Sequence, residues 1–314
     1  MRYLILIFIL FLQIACYTSA QQPPQQKVQR QSLTRVSVKL EVPKDYQKRD
    51  LDDETNLYDH KPRVIVVNEK AGKYEFRWIG YDGKEKVIKY QRLGAIDVLV
   101  SAKLQKVENG KYLYTYTVEN LSSSANNLSG LWVQNYASES KPVELDFDNI
   151  IIGKVLNIVR GFTEGKWWRY GILETYKPVI APGSKIELQL ESPAPPGLVA
   201  CKADGGEFGV KGVGEDMPPE LENLMHATKD LPFGYTIGPI DRLAEMNKSE
   251  KAKYVLENLS KFQEVGWMSS GTAQIYESIL KRENLAGALK QAKKDLSNEF
   301  ITSEVFSIIE GLNQ

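Results

Sequence analysis

The chain has 314 residues, with 40 lysines and arginines against 40 aspartates and glutamates, two histidines and two cysteines. That length supports one or two hydrophobic cores. The balanced charge, with no basic block of five or more residues, argues against nucleic acid as a partner.

Met1-Arg2-Tyr3 precedes nine unbroken apolar residues ending at Leu12, and small or polar residues follow, among them Ala15, Thr18, Ser19 and Ala20. One charge, a short apolar stretch and small residues make the layout of a secretory signal peptide, with cleavage expected after Ala20. The apolar run falls short of the roughly 20 residues a spanning helix needs, so no transmembrane helix is expected after signal removal. Cys16, in Gln13-Ile-Ala-Cys16, offers the alternative of a lipid anchor, but Gln13 stands where such sites take leucine. A secreted, periplasmic or outer-surface location follows. Once the signal and Arg2 are gone, the net charge is near −1 and Cys201 is the single cysteine left. An internal disulfide framework is then excluded, and the fold must be held by its core.

Residues 21–35 are rich in glutamine, contain Pro23-Pro24 and lack apolar periodicity, which predicts a flexible leader. From Val36 the period is two. Val36, Val38, Leu40 and Val42 alternate with polar residues, Val64 to Val67 form a short apolar run, and Tyr74, Phe76 and Trp78 alternate again before a turn at Tyr81-Asp82-Gly83-Lys84. Ile96 to Leu104 alternates over nine residues. Glu108-Asn109-Gly110-Lys111 is a tight-turn signal, and the return strand carries Tyr112, Tyr114, Tyr116 and Val118 on one face. Further strands are expected near Leu131-Trp132-Val133, from Trp167 to Leu173, and over Ile186 to Leu190 after the turn Ala181-Pro182-Gly183-Ser184. Alternating strands with no helical segment between them predict an antiparallel β-sandwich of immunoglobulin or fibronectin type over residues 36–201. The proline-rich stretch Ser192-Pro-Ala-Pro-Pro-Gly197 is expected to close it.

Residues 202–239, with Gly205, Gly206, Gly209, Gly212, Gly214 and Pro218-Pro219, read as a connector. After Pro239 the period changes to 3.6. Ala252, Val255, Leu256, Leu259 and Phe262 mark one helix stopped at Gly266; Ile275, Ile279 and Leu280 a second; Leu285, Ala288, Leu289, Ala292 and Leu296 a third. Thr302 is the expected N-cap of a fourth, with Ile301 and Phe306 placed as a hydrophobic staple. Four short amphipathic helices predict a small bundle over residues 240–314.

Two stretches carry a resemblance. Tyr112-x-Tyr-x-Tyr-x-Val-x-Asn120, Ile180-Ala-Pro-Gly183 and Ser192-Pro-x-Pro-Pro-Gly-Leu-Val199 resemble a sandwich domain of uncharacterised secreted bacterial proteins. The tail, from Val255 through Val265-Gly-Trp267 to Ala288, Leu296 and Ile301-Thr-Ser303, resembles FIMAH-like helical bundles at the C-termini of bacterial extracellular proteins. The resemblance rests on turn and core residues, implies a fold, and carries no catalytic residue over.

The chain offers few candidates for chemistry. His60 and His226 lack metal spacing, and no Gly-x-Ser-x-Gly elbow occurs. The glycines from Gly205 to Gly214 have no leading strand and no closing Gly-Lys-Ser/Thr, so a linker fits them better than a phosphate loop. Asp50, Asp52 and Glu54, and likewise Glu144, Asp146 and Asp148, alternate as calcium ligands can, but the first set lacks a calcium loop's glycine and distal glutamate and the second fits a solvated strand face. Cys201, beside Lys202, reads as a small core residue. No cofactor is expected, with calcium the lesser alternative. In an extended segment Trp168, Tyr170 and Ile172 share one face and Trp167 and Arg169 the other. Trp167 and Arg169 are therefore the candidate ligand-binding residues: either Trp167 is exposed and stacks on a sugar or a protein, or it packs under a loop or the bundle with Arg169 over its ring. The function these features suggest is non-enzymatic: an exported envelope or extracellular protein for adhesion, scaffolding, or contact with a glycan or envelope protein. A secreted hydrolase with an unrecognised site, and an accessory subunit of an envelope complex, are the alternatives. Asn120-Leu-Ser122 and Asn127-Leu-Ser129 are sequons that matter only in a eukaryotic host.

Overall fold

The computed structural model describes residues 24–33, 62–69, 72–80, 82–92, 94–143, 145–147, 150–158, 166–172, 180–205, 217–218, 221 and 231–314. The signal with Ala20 and Cys16, the strand at residues 36–42, both histidines, Asp50, Asp52, Glu54, Glu144, Asp148 and the glycines from Gly206 to Gly214 lie outside them.

The described residues form three antiparallel sheets followed by a run of helices. β1 (Arg63–Asn68), β2 (Lys73–Ile79) and β3 (Glu85–Gln91) make a three-stranded sheet in that order. The turn between β2 and β3 has Gly83 at φ +72°, as its hairpin signal predicts. β4 (Val98–Lys106) and β5 (Tyr112–Asn120) form the Asn-Gly hairpin, with Asn109 at φ 71° and Gly110 at φ 75° supplying the left-handed pair a tight reversal requires. The tyrosines Tyr112, Tyr114 and Tyr116 and Val118 are all buried along one face of β5.

β6 (Leu128–Asn135), β7 (Lys141–Val143), β8 (Leu145–Phe147), β9 (Ile150–Ile158), β10 (Lys166–Ile172), β11 (Ser184–Ser192), β12 (Pro196–Gly205) and β13 (Phe233–Pro239) complete the strands. A six-stranded sheet runs β13-β12-β6-β10-β9-β8 and a four-stranded one β4-β5-β11-β7. The proline-rich stretch does not end the β region. Pro193 and Pro195 occupy the link after β11, and Pro196 pairs with Pro239 at the end of the β12–β13 ladder, where a missing N–H matters least. The segment expected as a connector therefore supplies the last residues of β12 and all of β13.

The helices are α1 (Arg242–Glu245), α2 (Lys248–Glu264), α3 (Ser270–Leu280), α4 (Leu285–Ser297) and α5 (Ser303–Leu312). Asn247 and Glu250 close a capping box on α2, Ser269 caps α3 and Asn284 caps α4. Thr302 stands at the N-cap of α5 but makes no capping bond, and its buried hydroxyl has no hydrogen-bond partner. The first turn of α5 faces elsewhere: the Ala102 N–H of β4 donates to Glu304 Oε1 at 2.6 Å, and Ser303 Oγ donates to the Ala102 carbonyl at 2.9 Å. Side chains of α5 thus satisfy the outer edge of β4, which would otherwise present an open ladder.

A single hydrophobic cluster collects residues from the four-stranded sheet (Tyr114, Leu188), the six-stranded sheet (Leu131, Cys201, Ile237) and the helices (Phe262, Tyr276, Ile308). A second cluster joins Val64, Tyr74, Phe76, Trp78, Ile88 and Tyr90 of the small sheet to Met217 and Leu221. No helix among the described residues is long and apolar enough to cross a membrane.

The stretch expected as a flexible leader is held against this body over residues 24–33. Val28 N–H donates to the Glu299 carbonyl at 2.9 Å, and Leu33 N–H donates to the Val98 carbonyl at 2.8 Å. Polar pairs and one leucine hold it, which is why apolar periodicity gave no sign of it.

Candidate functional site: an aromatic frame around Lys202

Antiparallel register divides the six-stranded sheet into two faces. Cys201, Val133 and Trp168 stand opposite one another, as do Ala203, Leu131 and Tyr170. Cys201, Val133, Ala203 and Leu131 are all buried in the large cluster, so this is the core face. The intervening rows set Phe233, Lys202, Trp132 and Arg169 in line, and beside them Tyr235, Ala200, with Gln134 opposite Trp167. By backbone register Trp167 stands in the Gln134 row and Arg169 in the Trp132 row, alternating with the rows of Trp168 and Tyr170.

Trp167 itself is covered, at 8% exposure. Among the described side chains a cation stands over its ring: Lys202, whose Nζ lies 4.9 Å from the ring centroid. Among the described residues Lys202 has no ion-pair partner, and burial holds its ammonium below the ordinary lysine value. The rings around it are fixed. Trp132 Nε1 donates to Asp204 Oδ2 at 3.2 Å, and Ser129 Oγ donates to the Asp204 carbonyl at 3.2 Å. Phe233 and Tyr235 meet edge to face at 5.4 Å, and Lys261 of α2 sits 4.2 Å over Tyr235. Gln134 Oε1 accepts from Ala200 N–H and from the Tyr136 hydroxyl, both at 3.1 Å; Tyr136, at 37% exposure, is the most open ring of the group. An ammonium among aromatic rings is equipped to meet an anion, and the rings to meet the face of a sugar.

Sequence reading did not find Lys202, Trp132 or Asp204 as a set. The signal was present: Val199, Cys201 and Ala203 alternate with Ala200, Lys202 and Asp204, a two-residue period running past the prolines.

The remaining candidates have structural occupations. Cys201 is fully buried, and burial first, then the nearby Glu304 charge, push its thiol far up, away from the thiolate a nucleophile needs. Asn120, of the first sequon, is buried with its amide donating to the Asn126 and Ile180 carbonyls, both at 3.0 Å, so it is closed to glycan attachment in the folded chain. Asp146 lies on β8 opposite Ile151. Among the described residues no three histidine, cysteine or acidic side chains cluster as a metal site. Comparison of the chain with family models and with curated proteins gave no match.

Proposed function

We propose that the chain is an exported, non-enzymatic contact protein of the cell envelope or extracellular space that holds an acidic glycan against the aromatic frame around Lys202. The observation that carries this reading is the Lys202 ammonium over Trp167, without an ion-pair partner among the described residues and in line with Phe233 and Trp132. A carboxylate-bearing sugar offers both an anion for the cation and a C–H face for the rings. The six- and four-stranded sheets are read as the layers of an immunoglobulin- or fibronectin-like sandwich; their shared cluster supports this. The helices, with their FIMAH-like resemblance, are read as a bundle docked on it. Adhesion or scaffolding is the role such a body serves. The signal-like N-terminus supports export, with a lipid at Cys16 as the lesser variant.

The test is binding of uronate-containing and neutral oligosaccharides to the exported protein. Acidic sugars are expected to bind and neutral ones to bind weakly, with Lys202→Met lowering affinity about tenfold, the worth of one charge-assisted contact. Binding indifferent to sugar charge and to Lys202 discards the glycan; capture of an envelope protein dependent on Lys202 would move the same frame to a protein partner.

A further inference from the structure

Residues 24–33 occupy a cleft between the edge of β4, the Gly266 turn and the start of α5. Arg30 Nη1 donates to Glu304 Oε1 at 2.7 Å and Nη2 to Ser303 Oγ at 2.8 Å; Glu304 is only 1% exposed, so Arg30 is the cation that compensates its buried charge. Gln25 Nε2 donates to Asp295 Oδ1 at 3.3 Å, and Leu33 is buried beside Val98. Two glycines make the room. A Cβ on Gly234 would come within 2.6 Å of Leu33 Cδ2, and one on Gly266, at φ +72°, within 3.0 Å of the Gln29 carbonyl. The cleft is acidic (Asp295, Glu299, Glu304) and its occupant basic (Lys27, Arg30).

The segment is nevertheless weakly held along its rim. The Lys27–Glu299 pair has side chains 71% and 66% exposed, a setting in which ion pairs contribute little, so Arg30 and Leu33 are its two anchors. An emptied cleft would have to hydrate the Glu304 carboxylate and the Val98 carbonyl in place of Arg30 and the Leu33 N–H, and an occupant that carries the same cation and donor restores both contacts. The best-matched replacement is an identical segment, and 28 residues, Thr34 to Lys61, separate Leu33 in sequence from the described segment of β1, a length of chain of about 90 Å at full extension. We propose that this cleft is an exchange site that accepts residues 24–33 of a second copy of the chain, coupling two copies by their N-terminal segments. This is independent of the Lys202 frame.

The test mixes two full-length exported variants, one with Lys27→Cys and one with Glu299→Cys, and joins them with a short bis-maleimide; the unsubstituted chain is the blank. A cross-linked heterodimer is expected, rising with concentration toward the millimolar range in which a tethered segment's own effective concentration is matched. Arg30→Ala in the copy that donates its segment should lower the yield about tenfold. A single chain carrying both cysteines is the calibration. If it cross-links internally while the mixture gives no heterodimer at about 1 mM, the exchange proposal is overturned. If it fails to cross-link internally, the segment does not occupy the cleft, and the proposal falls as well.

Discussion

The main body and the small three-stranded sheet build their cores on different plans. In the small sheet, alternate residues of three sequential strands meet Met217 and Leu221, and the cluster stays local to that sheet and its cover. In the main body, strands from two sheets and all four longer helices feed one cluster, and side chains of α5 reach the β4 edge directly. Periodicity marks which residues of an element face inward in both cases. It does not say which elements share an inside, and in the main body that is the larger fact.

The largest effects are expected at the helices. Phe262→Ala removes a fully buried ring stacked on Trp267 at 5.7 Å and should destabilise by about 3–5 kcal/mol. If the core is common, the loss appears as one shifted denaturation transition for strand and helix signals alike. Glu304→Ala should cost about 3 kcal/mol, because it strips the Ala102 N–H of its acceptor and leaves Arg30 without its buried partner. Hydrogen exchange should then accelerate on β4 as well as on α5. Ile88→Val in the small sheet should cost about 1 kcal/mol, seen in exchange of β1–β3 amides with the main transition unmoved. Lys27→Ala should change stability by less than about 0.5 kcal/mol. Acid gives the mildest perturbation. Lys27 holds the exposed Glu299 carboxyl below its ordinary value, so this rim contact is present at neutral pH and fades as pH falls past the ordinary glutamate value and through the lower folded one. The protection factor of the Val28 amide, its exchange rate taken relative to a free amide at the same pH, should fall there before the helices open.

Much of the layout was legible. The tyrosine row of β5, the Asn109-Gly110 reversal and the stripes of α2 to α4 occur where pattern put them, because each is set by neighbours close in sequence. β12 was obscured because prolines at its start resemble a strand's end, while its two-residue rhythm runs on to Gly205. The seating of residues 24–33 had no local signal at all: its partners, Val98, Ser303 and Glu304, are 65 to 274 residues away, and the complementarity is one of single charges rather than of period. Alternation separates neighbouring residues such as Trp167 and Trp168 into different rows, yet Lys202 reaches Trp167 from two strands away in the sheet, which only the strand order could supply.

The sharing of one core by sheets and helices is tested most directly by native-state hydrogen exchange at two amides, Val133 in the centre of the six-stranded sheet and Ile308 in α5. Equal opening free energies, falling together in Phe262→Ala, are the result expected of a common core. Opening of Ile308 several kcal/mol more easily than Val133, with Val133 untouched by Phe262→Ala, would contradict it.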